Sequence, residues 1–252
     1  NSITSLGESA FAGCRGLTSI TIPPSVKVIP NYLFDGCIRL QSVTLSVQTT
    51  TIGYAAFRDC RTLSSLNLPY TVTYIGDYAF ANCVALPGMT LPQSLTYLGE
   101  GAFMGCESLT YVAMPHTVTE LGAYAFQRCI HLERVELSYN LPAIGAYTFQ
   151  GCTGLTSITL PDSVTIIGGS AFCGCTSLES IVLPDSVSSL EYSVFSGCTS
   201  LKSIVLPDSV ARIGSSAFLI ASSATKTAIY APRYFTLLFI LSNSAFVRAW
   251  DS

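Results

Sequence analysis

The chain has 252 residues, 49% hydrophobic and only 11% charged, a balance that excludes intrinsic disorder and suits one or two folded domains. Its net charge of -3, with 12 Lys and Arg scattered singly, offers no basic stripe for a phosphate backbone, so nucleic acid is not an expected partner. The longest apolar run, Phe235 to Leu241 broken by Thr236, falls far short of the roughly 20 residues of a membrane helix, and no membrane insertion is expected.

From Asn1 the chain enters a repeating pattern almost at once, without the n-region or h-region of a signal peptide. It is therefore expected to be a fragment or processed piece. It also carries no Asn-x-Ser/Thr sequon. Phe recurs at 11, 34, 57, 80, 103, 126, 149, 172, 195 and 218, every 23rd residue without a slip. Cys stands three residues after the first nine, from Cys14 to Cys198, and Leu three after each Cys, from Leu17 to Leu201. The unit reads C-x-x-L-x-x-I-x-L-P-x-S-V-x-x-I-G-x-x-A-F-x-x.

Within one unit, I-x-L predicts a short strand with one buried face, which Pro ends by withholding a backbone donor. V-x-x-I predicts a second short extended stretch. The following Gly (53, 76, 99, 122, 145, 168 and 214) is expected to supply the backbone freedom that turns the corner, before Ala-Phe packs inward. No window keeps a 3.6-residue apolar period over three turns, so little or no helix is expected. Stacked at about 4.8 Å, nine or ten such turns over residues 1–218 make a rod of roughly 40–45 Å.

This unit, plain in Cys175-Thr-Ser-Leu-Glu-Ser-Ile-Val-Leu-Pro-Asp-Ser-Val187, resembles the BspA-like, or treponemal, class of leucine-rich repeats from Leu6 to Phe218. The resemblance implies a leucine-rich-repeat solenoid: a right-handed parallel β-rich superhelix with its main sheet on one face, in keeping with the hand of parallel crossovers. It also implies a surface or secreted protein of the kind that adheres to host proteins or other cells. Departures stand at Ser46-Val-Gln-Thr-Thr-Thr51, at Ser138-Tyr-Asn-Leu141 and at Glu191 in a Gly position, where local corner irregularities are expected. After Phe218 the pattern dissolves, and residues 219–252 are expected to form a terminal cap, with an irregular tail as the alternative.

Ten Cys invite a disulfide or metal reading. Neighbouring turns would put Cα atoms within disulfide range, but an odd column of nine pointing one way favours no pairing, and zinc needs converging ligands that a line of single thiols lacks. A buried, reduced, space-filling thiol ladder is expected. Cys173 lies outside that column and is the candidate reactive thiol. His116 and His131 are the only histidines and sit in no catalytic motif. Asp162, Asp185 and Asp208 follow Pro in three consecutive turns; turn chemistry facing water is the reading preferred over calcium. No catalytic residue, metal or cofactor is expected.

Binding information in a repeat belongs where the exposed positions disagree. The outward strand columns are largely Ser and Thr, except where Tyr111, Glu133, Arg134 and Glu136 gather on neighbouring turns, and Tyr with Arg is a pairing enriched at interface hot spots. The expected role is recognition of a protein or glycan ligand through the exposed sheet face. A structural spacer is the main alternative, and a thiol or metal protein a remote one.

Overall fold

The computed structural model describes residues 2–219 and the backbone of 228–231 and 236–239. Each turn contributes two short strands. The first series is β1 (Ser19–Thr21), β3 (Ser42–Thr44), β5 (Ser65–Leu66), β7 (Met89–Thr90), β9 (Tyr111–Ala113), β11 (Arg134–Glu136), β13 (Ser157–Thr159), β15 (Ser180–Val182) and β17 (Ser203–Val205). The second is β2 (Val28–Ile29), β4 (Thr51–Ile52), β6 (Tyr74–Ile75), β8 (Tyr97–Leu98), β10 (Glu120–Leu121), β12 (Ala143–Ile144), β14 (Ile166–Ile167), β16 (Ser189–Leu190) and β18 (Arg212–Ile213). Pairing within both series is parallel and steps by one repeat, as in Ser19↔Ser42 and Ile29↔Ile52. The described residues form a parallel β-solenoid without helix, as the sequence pattern leads one to expect.

The interior is a set of columns. Phe34 to Phe195 are buried in every turn, their rings stacked at centroid separations of 5.2 to 5.7 Å, an offset geometry that adds to their hydrophobic burial. The third residue of P-x-S/T closes the stack from outside: Thr117 donates to the carbonyls of Gln93 (2.9 Å) and Leu95 (2.6 Å), and Ser163 to those of Tyr139 (2.8 Å) and Leu141 (2.6 Å). The hydroxyl thus staples each turn to the preceding one.

A third side of the turn contains no strand, yet its hydrogen bonding is the most regular. Along it the N–H groups of Tyr124, Phe126 and Arg128 reach the carbonyls of Ala146, Thr148 and Gln150 one turn on, while Gln127 and Cys129 bond back within their own turn. That alternation requires left-handed backbone at two points per turn. One is the column Tyr32, Ala55, Tyr78, Gly101, Tyr124 and Tyr147; the other runs through Gly36, Asp59, Asn82, Gly105, Arg128 and Gly151.

The glycines expected to turn the corner through backbone freedom serve differently. Gly99 and Gly122 are outside the left-handed region; a Cβ there would come within 2.5 Å of the Asp77 nitrogen and 2.2 Å of the Glu100 nitrogen. They are needed because adjacent turns approach too closely for any side chain. The left-handed positions fall on other residues, chiefly Tyr, Ser and a different set of glycines.

Two prolines interrupt the strand ladders. In the first series the N–H of Gln41 bonds Thr18 O (2.8 Å) and that of Ser64 bonds Gln41 O (3.0 Å); the next equivalent residue is Pro87, which has no donor, and β5 does not pair with β7. In the second series Thr119 N–H bonds Thr96 O (3.2 Å), Pro142 follows in register, and β10 does not pair with β12. The breaks after β11 and β15 have no such proline.

The expected cap over 219–252 lies largely outside the described residues. Within it, β19 (Ala228–Ala231) extends the first series parallel to β17, and β20 (Thr236–Phe239) runs antiparallel to β19.

Candidate functional site

Parallel register places Arg134 beside Tyr111 on β11 and β9. The Arg134 guanidinium lies over the Tyr111 ring, 5.8 Å from its centroid, and donates to Glu136 Oε1 at 2.6 Å, while the Tyr111 hydroxyl donates to Glu136 Oε2 at 3.1 Å. Loss of solvent contact, then the Glu136 hydrogen bond, holds the Tyr111 phenol above its ordinary pKa. The structure therefore brings three of the four expected residues into one self-paired cluster. Glu133 stands exposed alongside, anchored through its backbone to Thr110 O (2.9 Å).

The thiol column is buried from Cys37 to Cys198. Each Sγ points at the carbonyl of the Phe 26 residues earlier, at 3.0 to 3.2 Å, as in Cys37 to Phe11 and Cys60 to Phe34. Burial pushes all eight thiols above their ordinary pKa, Cys129 and Cys198 to about 12. Such thiols are poor nucleophiles. Cys173 is half-buried outside the column. Cys14, which the pattern assigns to the buried ladder, is exposed, because no described turn packs over its outer side. His131 Nδ1 is 2.8 Å from Glu107 O, and His116 stacks on Tyr139. Asp162, Asp185 and Asp208 face solvent, and no trio of His, Cys, Asp or Glu among the described residues is grouped to hold a metal ion.

A second surface escaped the sequence reading. Outward from the second series run two adjacent columns, Val28–Thr51–Tyr74–Tyr97–Glu120 and Glu8–Asn31–Tyr54–Asp77–Glu100. Tyr74 and Tyr97 stack face to face at 4.7 Å and 4°, and Tyr54 meets Tyr32 and Tyr78 edge-on. Asp77 Oδ1 accepts from the Glu100 N–H (2.9 Å) and the Tyr97 hydroxyl (3.1 Å); the Tyr78 hydroxyl donates to Glu100. Burial, then the Asp77 bond, pushes the Tyr97 phenol up to about 12. Between the columns lies an open groove of about 450 Å³ lined by Glu8, Asn31, Tyr54, Tyr74 and Asp77. A smaller hollow of about 310 Å³, lined by Glu120 and Pro142, marks the proline break.

No curated protein matches the chain. Among solved structures it is similar to the T. pallidum leucine rich repeat protein TpLRR, at 32% identity over 64% of this chain and 78% of that one, with a TM-score of 0.62. A leucine-rich repeat protein from Bacteroides ovatus matches at 32% identity over 86% of this chain and 67% of that one, TM-score 0.63. A leucine rich cell surface protein from Faecalibacterium prausnitzii matches at 26% identity over 84% and 73%, TM-score 0.50. The model of the BspA type leucine rich repeat region matches six copies over residues 1–110 and 120–236. With the repeat, the parallel solenoid and this match in agreement, the chain belongs to the BspA-type leucine-rich-repeat family.

Proposed function

We propose that the chain is a recognition module of a surface or secreted protein, holding a protein or glycan ligand through the exposed face of the first strand series and so serving adhesion. Family membership is consistent with a protein-binding or repeat-scaffold role, and the family and fold are generally non-enzymatic. The observation that carries the finer reading is the Tyr111–Arg134–Glu136 cluster. Its side chains hold one another in place, so a partner that docks on them loses little further rotamer freedom. The similar F. prausnitzii chain is described as a cell surface protein, which supports an extracellular setting. The rival is a spacer rod, favoured by the Ser and Thr that dominate the rest of this face.

The test is adsorption of the fluorescently labelled chain to intact epithelial cells, untreated, protease-treated or glycosidase-treated. Retention that falls in Tyr111→Ala and Arg134→Ala supports recognition, and the enzyme treatment that abolishes it tells protein from glycan. Absence of retention, or retention unaltered by both substitutions, overturns the reading of this face.

A further inference from the structure

On this rod a tyrosine ring and a carboxylate twice enclose an arginine. The Arg58 guanidinium lies 5.6 Å from the Tyr32 centroid and is gripped by both Asp35 oxygens, Nε to Oδ1 at 2.8 Å and Nη2 to Oδ2 at 2.7 Å. Arg134 sits in the same way between Tyr111 and Glu136. These sites combine cation–π attraction with charge-assisted hydrogen bonds.

The groove of the second series repeats the two acceptors without the cation. Tyr54 and Tyr74 supply aromatic rings, and Glu8 and Asp77 supply carboxylates. Each carboxylate is held by one oxygen only. Glu8 Oε1 accepts from Asn31 Nδ2 (3.0 Å), and Asp77 Oδ1 accepts the two bonds already described. The second oxygens, Glu8 Oε2 and Asp77 Oδ2, accept no hydrogen bond from the described residues. The Asn31 amide is spent on Glu8 and on the Tyr54 N–H (2.9 Å). No Lys or Arg lines the groove; Lys27 stands at its rim, next to Val28, and the neighbouring Arg58 is closed by its own ion pair.

We infer that this groove is a docking site for a guanidinium side chain, an arginine in an exposed basic segment of a protein partner. The hydroxyls of Thr51, Tyr54 and Tyr74 would serve a sugar as well, so charge decides: two carboxylates with spare oxygens and no cation among the lining residues call for a cationic ligand. A guanidinium is planar, donates only, and stacks on an aromatic face while it pairs with a carboxylate; Asp77 takes one, and Glu8, three turns away in the same column at about 14 Å, a second from the same segment. The site lies on a different side of the turn from Tyr111 and Arg134, so it stands or falls independently of that surface.

The probe is an amidated tetra-arginine peptide titrated into the full chain and followed by amide shifts in ¹H–¹⁵N spectra, with tetralysine and chitotriose as comparisons. Arginine is expected to shift Thr51, Gly53, Tyr54, Tyr74 and Asp77, to bind more tightly than lysine, and to weaken as salt rises. Asp77→Asn keeps the Oδ1 acceptor, and Tyr74→Ala changes an exposed side chain, so both are expected to fold; each should weaken binding about tenfold. Tyr111→Ala and Glu179→Gln should leave it unchanged. The inference is overturned if Glu179→Gln weakens binding as much as Asp77→Asn, which would mean attraction to bulk charge, or if chitotriose rather than arginine moves the groove amides. Arginine binding without cell retention would remove the first-series surface and leave this one intact.

Discussion

The Cys129 thiol donates to the carbonyl oxygen of Phe103 across 3.1 Å, and the same oxygen already accepts the N–H of Cys106. Both lone pairs are thereby used at a buried point where the chain has no strand. A methyl group would fill part of the space but not make the bond. Cys129→Ala is therefore expected to lower unfolding stability by about 1–2 kcal/mol. Cys129→Ser, whose shorter C–O bond falls back from Phe103 and buries a stronger dipole, should do no better. Urea denaturation under reductant measures both; an alanine variant as stable as the parent would remove the hydrogen bond's role.

Eight buried thiols make the fold sensitive to alkali. Their folded pKa values are raised by burial, so the native chain keeps protons that the unfolded chain releases above about pH 8.5. Stability is complete below that point and declines as pH rises toward the folded values, about 12 for Cys129 and Cys198. One pH unit above the unfolded value each of the seven more strongly shifted thiols, Cys60 to Cys198, costs about 1.4 kcal/mol; together they approach the stability of a whole domain. Circular dichroism against pH, with reductant present, should show unfolding between about pH 9 and 10. A flat signal to pH 10.5 contradicts this.

Position along the Phe stack should govern its energetics. Phe126 is fully buried between Phe103 at 5.7 Å and Phe149 at 5.6 Å. Phe11 is half-buried and stacks on Phe34 alone among the described rings. Phe126→Ala is expected to cost about 3–5 kcal/mol through the cavity it leaves, and Phe11→Ala clearly less. Equal shifts in melting temperature would refute nearest-neighbour stacking.

Two classes of glycine should separate on substitution. At Gly122 a new Cβ meets backbone at 2.2 Å, so Gly122→Ala must push two turns apart and is expected to cost more than about 3 kcal/mol. Gly151 has φ 72 and its nearest obstacle at 3.7 Å. Asn82 and Arg128 occupy the same column with φ 60, so Gly151→Asn should cost about 1 kcal/mol or less. Thermal melts of the two variants decide the matter.

The core was legible because it repeats: Phe, Cys and Leu fall every 23 residues, and stacking forces that regularity. The glycine at each corner was legible as a requirement but not as a cause, since close approach between turns and backbone freedom select the same residue. The tyrosine surface was missed for a geometric reason. Tyr32, Tyr54 and Tyr78 are 22 and 24 residues apart, alternating between adjacent columns, so a search in strict register passes over them; Tyr74 and Tyr97 are in register but outside the first-series columns that were compared. Pro87 and Pro142 did carry a readable signal, a missing donor at a position where other turns use one. On the first-series face, spacing predicted the meeting of Tyr111, Arg134 and Glu136, but whether Glu133 joins them depends on side-chain direction.

The staggering of the two prolines bears on how this rod would carry load. Where Pro87 opens the first ladder, Tyr74 and Tyr97 still pair in the second; where Pro142 opens the second, β9 and β11 still pair in the first. The strandless side runs unbroken past both points, from Ser9 to Leu219. At each of the two prolines one flank is open while the other two sides still join the turns, and the ladder breaks after β11 and β15 likewise face a paired second series, β12 with β14 and β16 with β18.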